Sequence, residues 1–280
     1  MTIPVVDFTA SDAQSQFVTS LREIGFGVLK NHPLDNQLIS QLYDIWYDFF
    51  NGDVKYEYGF DEETHAGFIC QRRSETAKGN DIKDIKEFYH YYPGKQCPES
   101  LVPVTHDLFT MMSQLAKELL FWVQNGLPMD IERGLSMPLS DMIEDSTHTL
   151  LRIIHYPPIS SEVPVGAVRA AAHEDINLLT LLPAATAKGL QVKTKSGEWL
   201  DVPCDPGWLI VNTGDMLSEC TQHYFKATSH RVINPSQELA HESRVSSPLF
   251  LHPREDVVLS DRHTAGSYRI ERFKELGLKT

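Results

Sequence analysis

The hydrophobic period of this 280-residue chain changes once, near residue 147, and that change limits the folds open to it. Before it, apolar residues recur at spacings of three and four, the mark of helices buried on one face. Ser11 is placed to cap a helix running through Ile24, with Phe17, Val18, Leu21 and Ile24 on one side and Gly25 as the stop. Residues 26–29 form a short apolar run, read as a strand. Asp35 opens a second amphipathic stretch through Leu38, Ile39, Leu42, Ile45, Trp46 and Phe49, ended by Gly52. Asp107 opens the most regular one, with Leu108, Met111, Met112, Leu115, Leu119, Leu120 and Val123. Residues 53–100 show little periodicity and read mostly as loop, with a short strand near Glu87–Tyr91.

After residue 147 the pattern becomes short apolar or alternating runs: Leu150–Tyr156, Leu178–Leu182, Gly189–Lys193, Trp199–Val202, Trp208–Asn212, His230–Asn234 and Val245–Leu251. Between them stand Pro157-Pro158, Ser196-Gly197, Asp205-Pro206-Gly207 and Asn234-Pro235, all turn chemistry. Several short strands spaced in this way indicate a β-sandwich or barrel. The last stretch, Arg269–Leu278, returns to helix. The chain therefore reads as mainly β with flanking helices, in one domain or two.

Composition narrows the function classes. With 25 basic against 38 acidic residues the formal charge is −13, the opposite of a nucleic-acid footprint or of a surface attracted to anionic lipid. No apolar run approaches the roughly 20 residues that span a bilayer. The N-terminal residues lack a signal peptide's basic and apolar regions. Cysteines at 70, 97, 204 and 220 show no metal-finger spacing, and without an export signal they read as free thiols in a cytoplasmic protein.

Several chemistries are excluded by missing residues. There is no P-loop and no GxSxG elbow, and Gly25-Phe26-Gly27 lacks the third glycine of a dinucleotide fingerprint. His173-Glu174 begins like a zinc protease, but Asn177 stands where the second histidine belongs. What remains is His173-Glu174-Asp175. On extended chain His173 and Asp175 share a face. His230 begins a later apolar run, and Arg244 and Ser246 share a face further on. Two imidazoles and one carboxylate suit the facial triad of non-haem Fe(II), and an arginine with a hydroxyl at i and i+2 suits the distal carboxylate of a 2-oxo acid. Each residue alone also fits a plainer role: a histidine satisfied within the core, or a surface arginine in an ion pair. Their joint occurrence favours the metal.

The same segments carry a resemblance. Gly189-Leu-Gln-Val-Lys193, Gly197–Pro203, Trp208–Leu217, His230–Pro235 and Arg244–Phe250 resemble the isopenicillin N synthase-like branch of the 2-oxoglutarate/Fe(II)-dependent oxygenases. Ile3–Phe8, Gly25–His32 and Asp84–Phe88 resemble that family's N-terminal elements, so the likeness spans about residues 3–259. The chain departs from the family at Pro33, at Gln222-His223, at Ile154, and in the fourteen positions between His230 and Arg244, which lengthen a hairpin around 237–241.

The resemblance implies a double-stranded β-helix, a distorted jelly roll, within one oxygenase domain over 1–280. Its parts would be a mainly helical region (1–146), a core with the metal site (147–260) and a C-terminal helix (261–280). It implies Fe(II) on His173, Asp175 and His230, with 2-oxoglutarate on Arg244, Ser246 and Tyr156. The implied reaction consumes dioxygen and 2-oxoglutarate and oxidises a small organic substrate, most simply by hydroxylation, with release of succinate and CO2. Arg72, Arg73 and Arg169 are candidates to pair with a substrate carboxylate, and Phe88 to line its pocket. An oxidase or cyclase of the isopenicillin N synthase type needing no 2-oxoglutarate, and a non-catalytic ligand-binding relative, are the alternatives. Neither nucleic acid nor membrane is an expected partner.

Overall fold

The computed structural model describes residues 2–73, 82–160, 163 and 166–275. The chain enters through a short strand, β1 (Val5–Asp7), and helix α1 (Ala13–Ile24), followed by β2 (Phe26–Lys30) and α2 (Asn36–Asn51). Two strands, β3 (Gly67–Ile69) and β4 (Glu87–Tyr91), precede helices α3 (Val102–Asn125), α4 (Met129–Gly134) and α5 (Leu139–Met142). Strands then dominate: β5 (Leu150–Tyr156), β6 (Ala170–His173), β7 (Leu179–Pro183), β8 (Leu190–Lys193), β9 (Trp199–Asp201) and β10 (Leu209–Thr213). Helix α6 (Asp215–Cys220) separates them from β11 (His230–Val232), β12 (Arg244–Ser246) and β13 (Leu249–Leu251), and α7 (Ala265–Glu275) closes the described chain.

The helix boundaries follow from local chemistry. Asp12, not Ser11, holds the N-cap position of α1, and its carboxylate accepts from the Gln16 side chain at 2.7 Å instead of capping the backbone. Gly25 ends α1 in the left-handed region at φ 79°, and a Cβ there would lie 2.1 Å from Thr228 Oγ1, so only glycine fits. Asp35 caps α2 by accepting from the Gln37 backbone N–H at 2.8 Å. Helix α3 starts five residues earlier than its apolar pattern indicates. The buried position in its first turn is taken by Thr105, whose hydroxyl donates to Leu101 O and accepts from Trp46 Nε1 at 2.9 Å. A polar residue at a core position hides the first turn from periodicity, and here it ties α2 to α3.

A nine-stranded sheet runs β1-β2-β10-β7-β13-β5-β4-β3, with β12 also paired to β5, and a four-stranded sheet runs β6-β11-β8-β9. Every pairing is antiparallel except β1–β2. Strand alternation divides the interior in two. Leu151 and Ile153 of β5, Leu179 and Leu181 of β7, and Leu209 and Val211 of β10 pack with the faces of α1, α2 and α3. Their neighbours Ile154, Tyr156, Leu182 and Ile210 turn the other way and pack with Ala170, Leu190, Val192 and Val232 of the smaller sheet. The result is a jelly roll buttressed by helices on one side.

Some elements escape the apolar pattern. β6 is Ala170-Ala171-Ala172-His173, which offers neither alternation nor β-branched residues. The run Val245–Leu251 is two strands broken at Ser247-Pro248, both paired to β5, because proline has no N–H to give the ladder. α7 begins four residues before Arg269, and the expected continuation to Leu278 lies outside the described residues beyond Glu275. All four cysteines are free, and no helix among the described residues is long and apolar enough to cross a membrane.

Candidate active site

His173 ends β6 and His230 begins β11, and the ladder pairs the two directly, with ring centroids 4.4 Å apart. Asp175, two residues past β6, places Oδ1 at 3.8 Å from Nε2 of each histidine. One donor atom from each of the three residues lies within 4.8 Å of the others, the one such cluster among the described residues. The edge of Phe26 meets the His230 ring at 5.5 Å and limits its rotation.

The surrounding hydrogen bonds decide which atoms face inward. His173 Nδ1 lies 2.8 Å from Ala171 O, and His230 Nδ1 lies 3.1 Å from Thr228 O. A carbonyl only accepts, so each Nδ1 carries the proton and each Nε2 keeps a lone pair for a metal. Asp175 Oδ2 accepts from Thr180 Oγ1 at 2.6 Å and from Asn212 Nδ2 at 2.8 Å. Asn177 Nδ2 donates to the same Thr180 oxygen at 2.9 Å, which forces the threonine proton toward the carboxylate. Oδ1 is thereby left for coordination.

Protonation agrees with that role. Burial, and then the adjacent His230, push the His173 imidazole down to about 4, so it is neutral at physiological pH. Burial by itself would raise Asp175, but His230, His173 and the Thr180 and Asn212 hydrogen bonds hold it below the usual carboxylate range. The two Nε2 atoms and a carboxylate oxygen form an N2O donor set of the kind that binds Fe(II) and leaves further positions open.

A second cluster sits on β5 and β12, where register pairs Arg244 with Tyr156 and Ser246 with Ile154. Arg244 is 2% exposed. Its Nε donates to Ala187 O at 2.9 Å, its Nη1 to Ser246 Oγ at 3.2 Å, and its guanidinium lies 4.9 Å from the centre of the Tyr156 ring. Tyr156 thus meets Arg244 through its ring face. Arg169, expected with Arg72 and Arg73 at the substrate, lies elsewhere. It is 1% exposed, stands 6.0 Å from the same Tyr156 ring, donates from Nη2 to Glu242 O at 2.7 Å, and leaves Nε without a partner. Burial and the neighbouring Arg244 pull its pKa below the ordinary arginine value. Among the described residues neither guanidinium has a carboxylate within 4.0 Å, so two buried cations stand beside one tyrosine without a paired carboxylate.

A cavity of about 1490 Å³ opens onto His173 and Asp175. Phe88 lines it, together with Lys86, His90, Arg152 and Phe250, none of which stands out in the sequence. Arg73 stands on its rim, 61% exposed and 3.8 Å from Glu62. Arg72 is exposed on the same short turn and does not reach the cavity. Asp84 accepts from the Ala171 N–H at 2.9 Å and pairs with Lys86 at 2.8 Å, fixing the strand that carries His173. The signal for Arg152 was present in the sequence: residues 152, 154 and 156 of one strand share a face.

Residues 147–253 match the family model of the 2OG-Fe(II) oxygenase superfamily, and residues 3–105 match that described as non-haem dioxygenase in morphine synthesis N-terminal. Gibberellin 2-beta-dioxygenase 3 of Arabidopsis thaliana is 26% identical over 97% of this chain and 86% of its own length. Proline hydroxylase buaE of Petromyces alliaceus is 27% identical over 92% of this chain and 89% of its own. A crystal structure from Shewanella oneidensis, provisionally described as an oxygenase, is 49% identical with a TM-score of 0.90, each chain covered completely. A full-length Neurospora crassa protein solved in complex with alpha-KG shares the fold at a TM-score of 0.81 and 24% identity, over 97% of this chain and 95% of its own. The chain belongs to the 2-oxoglutarate/Fe(II) oxygenase superfamily, and is an oxidoreductase that works with Fe(II), 2-oxoglutarate and dioxygen on a small substrate.

Proposed function

We propose that His173, Asp175 and His230 hold the Fe(II), and that Arg244, Ser246 and Tyr156 hold the distal carboxylate of 2-oxoglutarate. The observation that carries this reading is the inward orientation of three donor atoms, each fixed from behind by a hydrogen bond. Iron(II) with 2-oxoglutarate and dioxygen supplies oxidation of an unactivated C–H bond, coupled to conversion of the co-substrate to succinate and CO2. Asp175 supplies the charge, and the two imidazoles, each with Nδ1–H on a backbone carbonyl, supply Nε2 as nitrogen donors. Arg244 presents its guanidinium beside the Ser246 hydroxyl, an arrangement that grips a carboxylate at a set distance from the metal. Arg169 adds a second positive charge behind Tyr156. The cavity lined by Phe88 and Phe250 receives the substrate and shields it from water.

The 280 residues act as one oxygenase domain in this reading, because β1 to β4 of the helical half complete the sheet that carries β5, β7 and β10. Four unpaired thiols suit the cytoplasm, and the acidic surface suits a small-molecule substrate better than nucleic acid.

The test is anaerobic loading followed by air. One equivalent of Fe(II) is expected to bind, and 2-oxoglutarate added with oxygen is expected to yield succinate and CO2. Oxygen consumption with no succinate would move the chain to the oxidase type that uses no 2-oxo acid.

A further inference from the structure

The end of β13 leads toward the candidate metal site. Leu251 pairs with Leu179, and the Leu178 N–H donates to Leu251 O at 3.0 Å. The antiparallel chain beyond β13 therefore runs alongside the segment that follows Asp175. His252 is the first residue past the strand. It stands two positions after Phe250, on the same face, and both line the cavity that opens onto His173 and Asp175.

The hydrogen bonds around His252 leave one ring atom over. Nδ1 lies 3.1 Å from Phe250 O, a carbonyl that only accepts, so Nδ1 carries the proton and Nε2 keeps its lone pair. Nε2 has no hydrogen-bond partner among the described residues, and it is not sealed from the cavity. The polar side chains beside it are engaged with one another. Arg269 Nη1 donates to His148 Nδ1 at 2.7 Å, Arg269 Nη2 pairs with Glu255, and His148 Nε2 lies 3.3 Å from Glu255 Oε1. Burial pushes the His252 imidazole down to about 4, outweighing the Phe250 hydrogen bond that raises it, so the lone pair stays open at neutral pH. A fixed acceptor without a donor, on the wall of a cavity beside the candidate metal ligands, is built to recognise an O–H or N–H of a ligand.

We propose that His252 Nε2 accepts a hydrogen bond from the primary substrate, so that this oxygenase selects small molecules bearing an O–H or N–H close to the carbon it oxidises. The inference rests on the function proposed above. Phe88 and Phe250 take the apolar carbon of such a molecule, and His252 fixes which end of it lies toward His173 and Asp175. Ethers, esters and tertiary amides offer Nε2 no proton. They displace its water and leave the acceptor unpaired, which is how one nitrogen discriminates.

The experiment first records succinate formed from 2-oxoglutarate by the iron-loaded protein, alone and with each compound of a small library. Its complete absence defeats the function proposed above, and binding tests this inference separately. The library holds small alcohols, phenols and N–H amides, each matched with its O- or N-methyl derivative. Calorimetry measures their binding to protein loaded with Zn(II) and 2-oxoglutarate, which cannot turn over. The binders are expected among the donors, with the methylated partners about tenfold weaker. In His252→Leu that ratio is expected to fall to about one, and in His252→Gln, whose Oε1 can accept, to persist. Methylated partners that bind as well as the donors, no binder at all, or an unchanged ratio in His252→Leu would overturn the proposal. The donor–methyl comparison in the unaltered protein stands whether or not the leucine variant folds.

Discussion

Thr180 donates its hydroxyl to Oδ2 of Asp175 at 2.6 Å, which leaves Oδ1 as the oxygen lying 3.8 Å from the Nε2 atoms of both His173 and His230. A core threonine on β7 therefore selects which carboxylate oxygen faces the metal. Thr180→Val keeps the shape and removes the bond. Partners of this kind contribute about 10- to 100-fold in metal affinity. The variant is expected to bind Fe(II), or Co(II) as a stable surrogate, about that much more weakly by anaerobic titration. Equal affinity would show that Asn212 Nδ2 alone suffices.

Arg244 and Arg169 flank one tyrosine with no carboxylate within 4.0 Å among the described residues, and the proposed function gives both a part in holding the anion. A hydrogen bond to a charged group contributes about 1.5–3 kcal/mol, or roughly 10- to 150-fold. Arg244→Lys keeps the charge and loses the fork, and its 2-oxoglutarate dissociation constant is expected to rise by about that factor. Arg169→Gln is expected to have a smaller effect in the same direction. The double variant should show less than the sum, because one anion is shared.

Acid should destabilise the metal-free protein over a definite range. His173 and His252 are both pushed down to about 4, chiefly by burial, from an ordinary value of 6.5. Between pH 6.5 and 4 the unfolded chain binds protons that the folded chain does not, so stability falls as pH falls through that window. The Tm of the metal-free protein is expected to drop across this range, and His252→Asn to make the drop shallower. A Tm independent of pH from 6.5 to 4 would contradict the lowered pKa of these two imidazoles.

The bond between Trp46 Nε1 and Thr105 Oγ1 joins α2 to α3 inside the core. Thr105→Val leaves the indole N–H buried without an acceptor, at a cost of about 1–3 kcal/mol. Urea unfolding is expected to show a lower midpoint with an unchanged slope. An unaltered midpoint would mean that the indole finds another acceptor.

Much of the site was legible because its residues stand in distinctive local contexts. His173 and Asp175 share a face two residues apart, and His230 and Arg244 open apolar strands. The supports were not legible. Thr180, Asn177 and Asn212 are polar residues whose roles exist only once β7 and β10 lie side by side under Asp175. β6 was hidden because three alanines carry no strand signal, although the strand holds a candidate ligand. In the sequence Arg169 stands with Arg72 and Arg73 as a candidate partner of a substrate carboxylate. Only the fold reveals that it is buried beside Tyr156, while Arg152 occupies the cavity wall. Local chemistry wrote the donors, and long-range pairing wrote what aims them.

The central claim is that the paired histidines and Asp175 form one iron site serving the Arg244 pocket. The direct measurement is the visible charge-transfer band of the anaerobic protein with Fe(II) and 2-oxoglutarate, recorded for the unaltered protein and for His173→Ala, His230→Ala and Arg244→Ala. The expected result is a band in the unaltered protein, none in either histidine variant at equal iron, and a band recovered in Arg244→Ala only at much higher 2-oxoglutarate. A band of equal strength in a histidine variant would contradict the site.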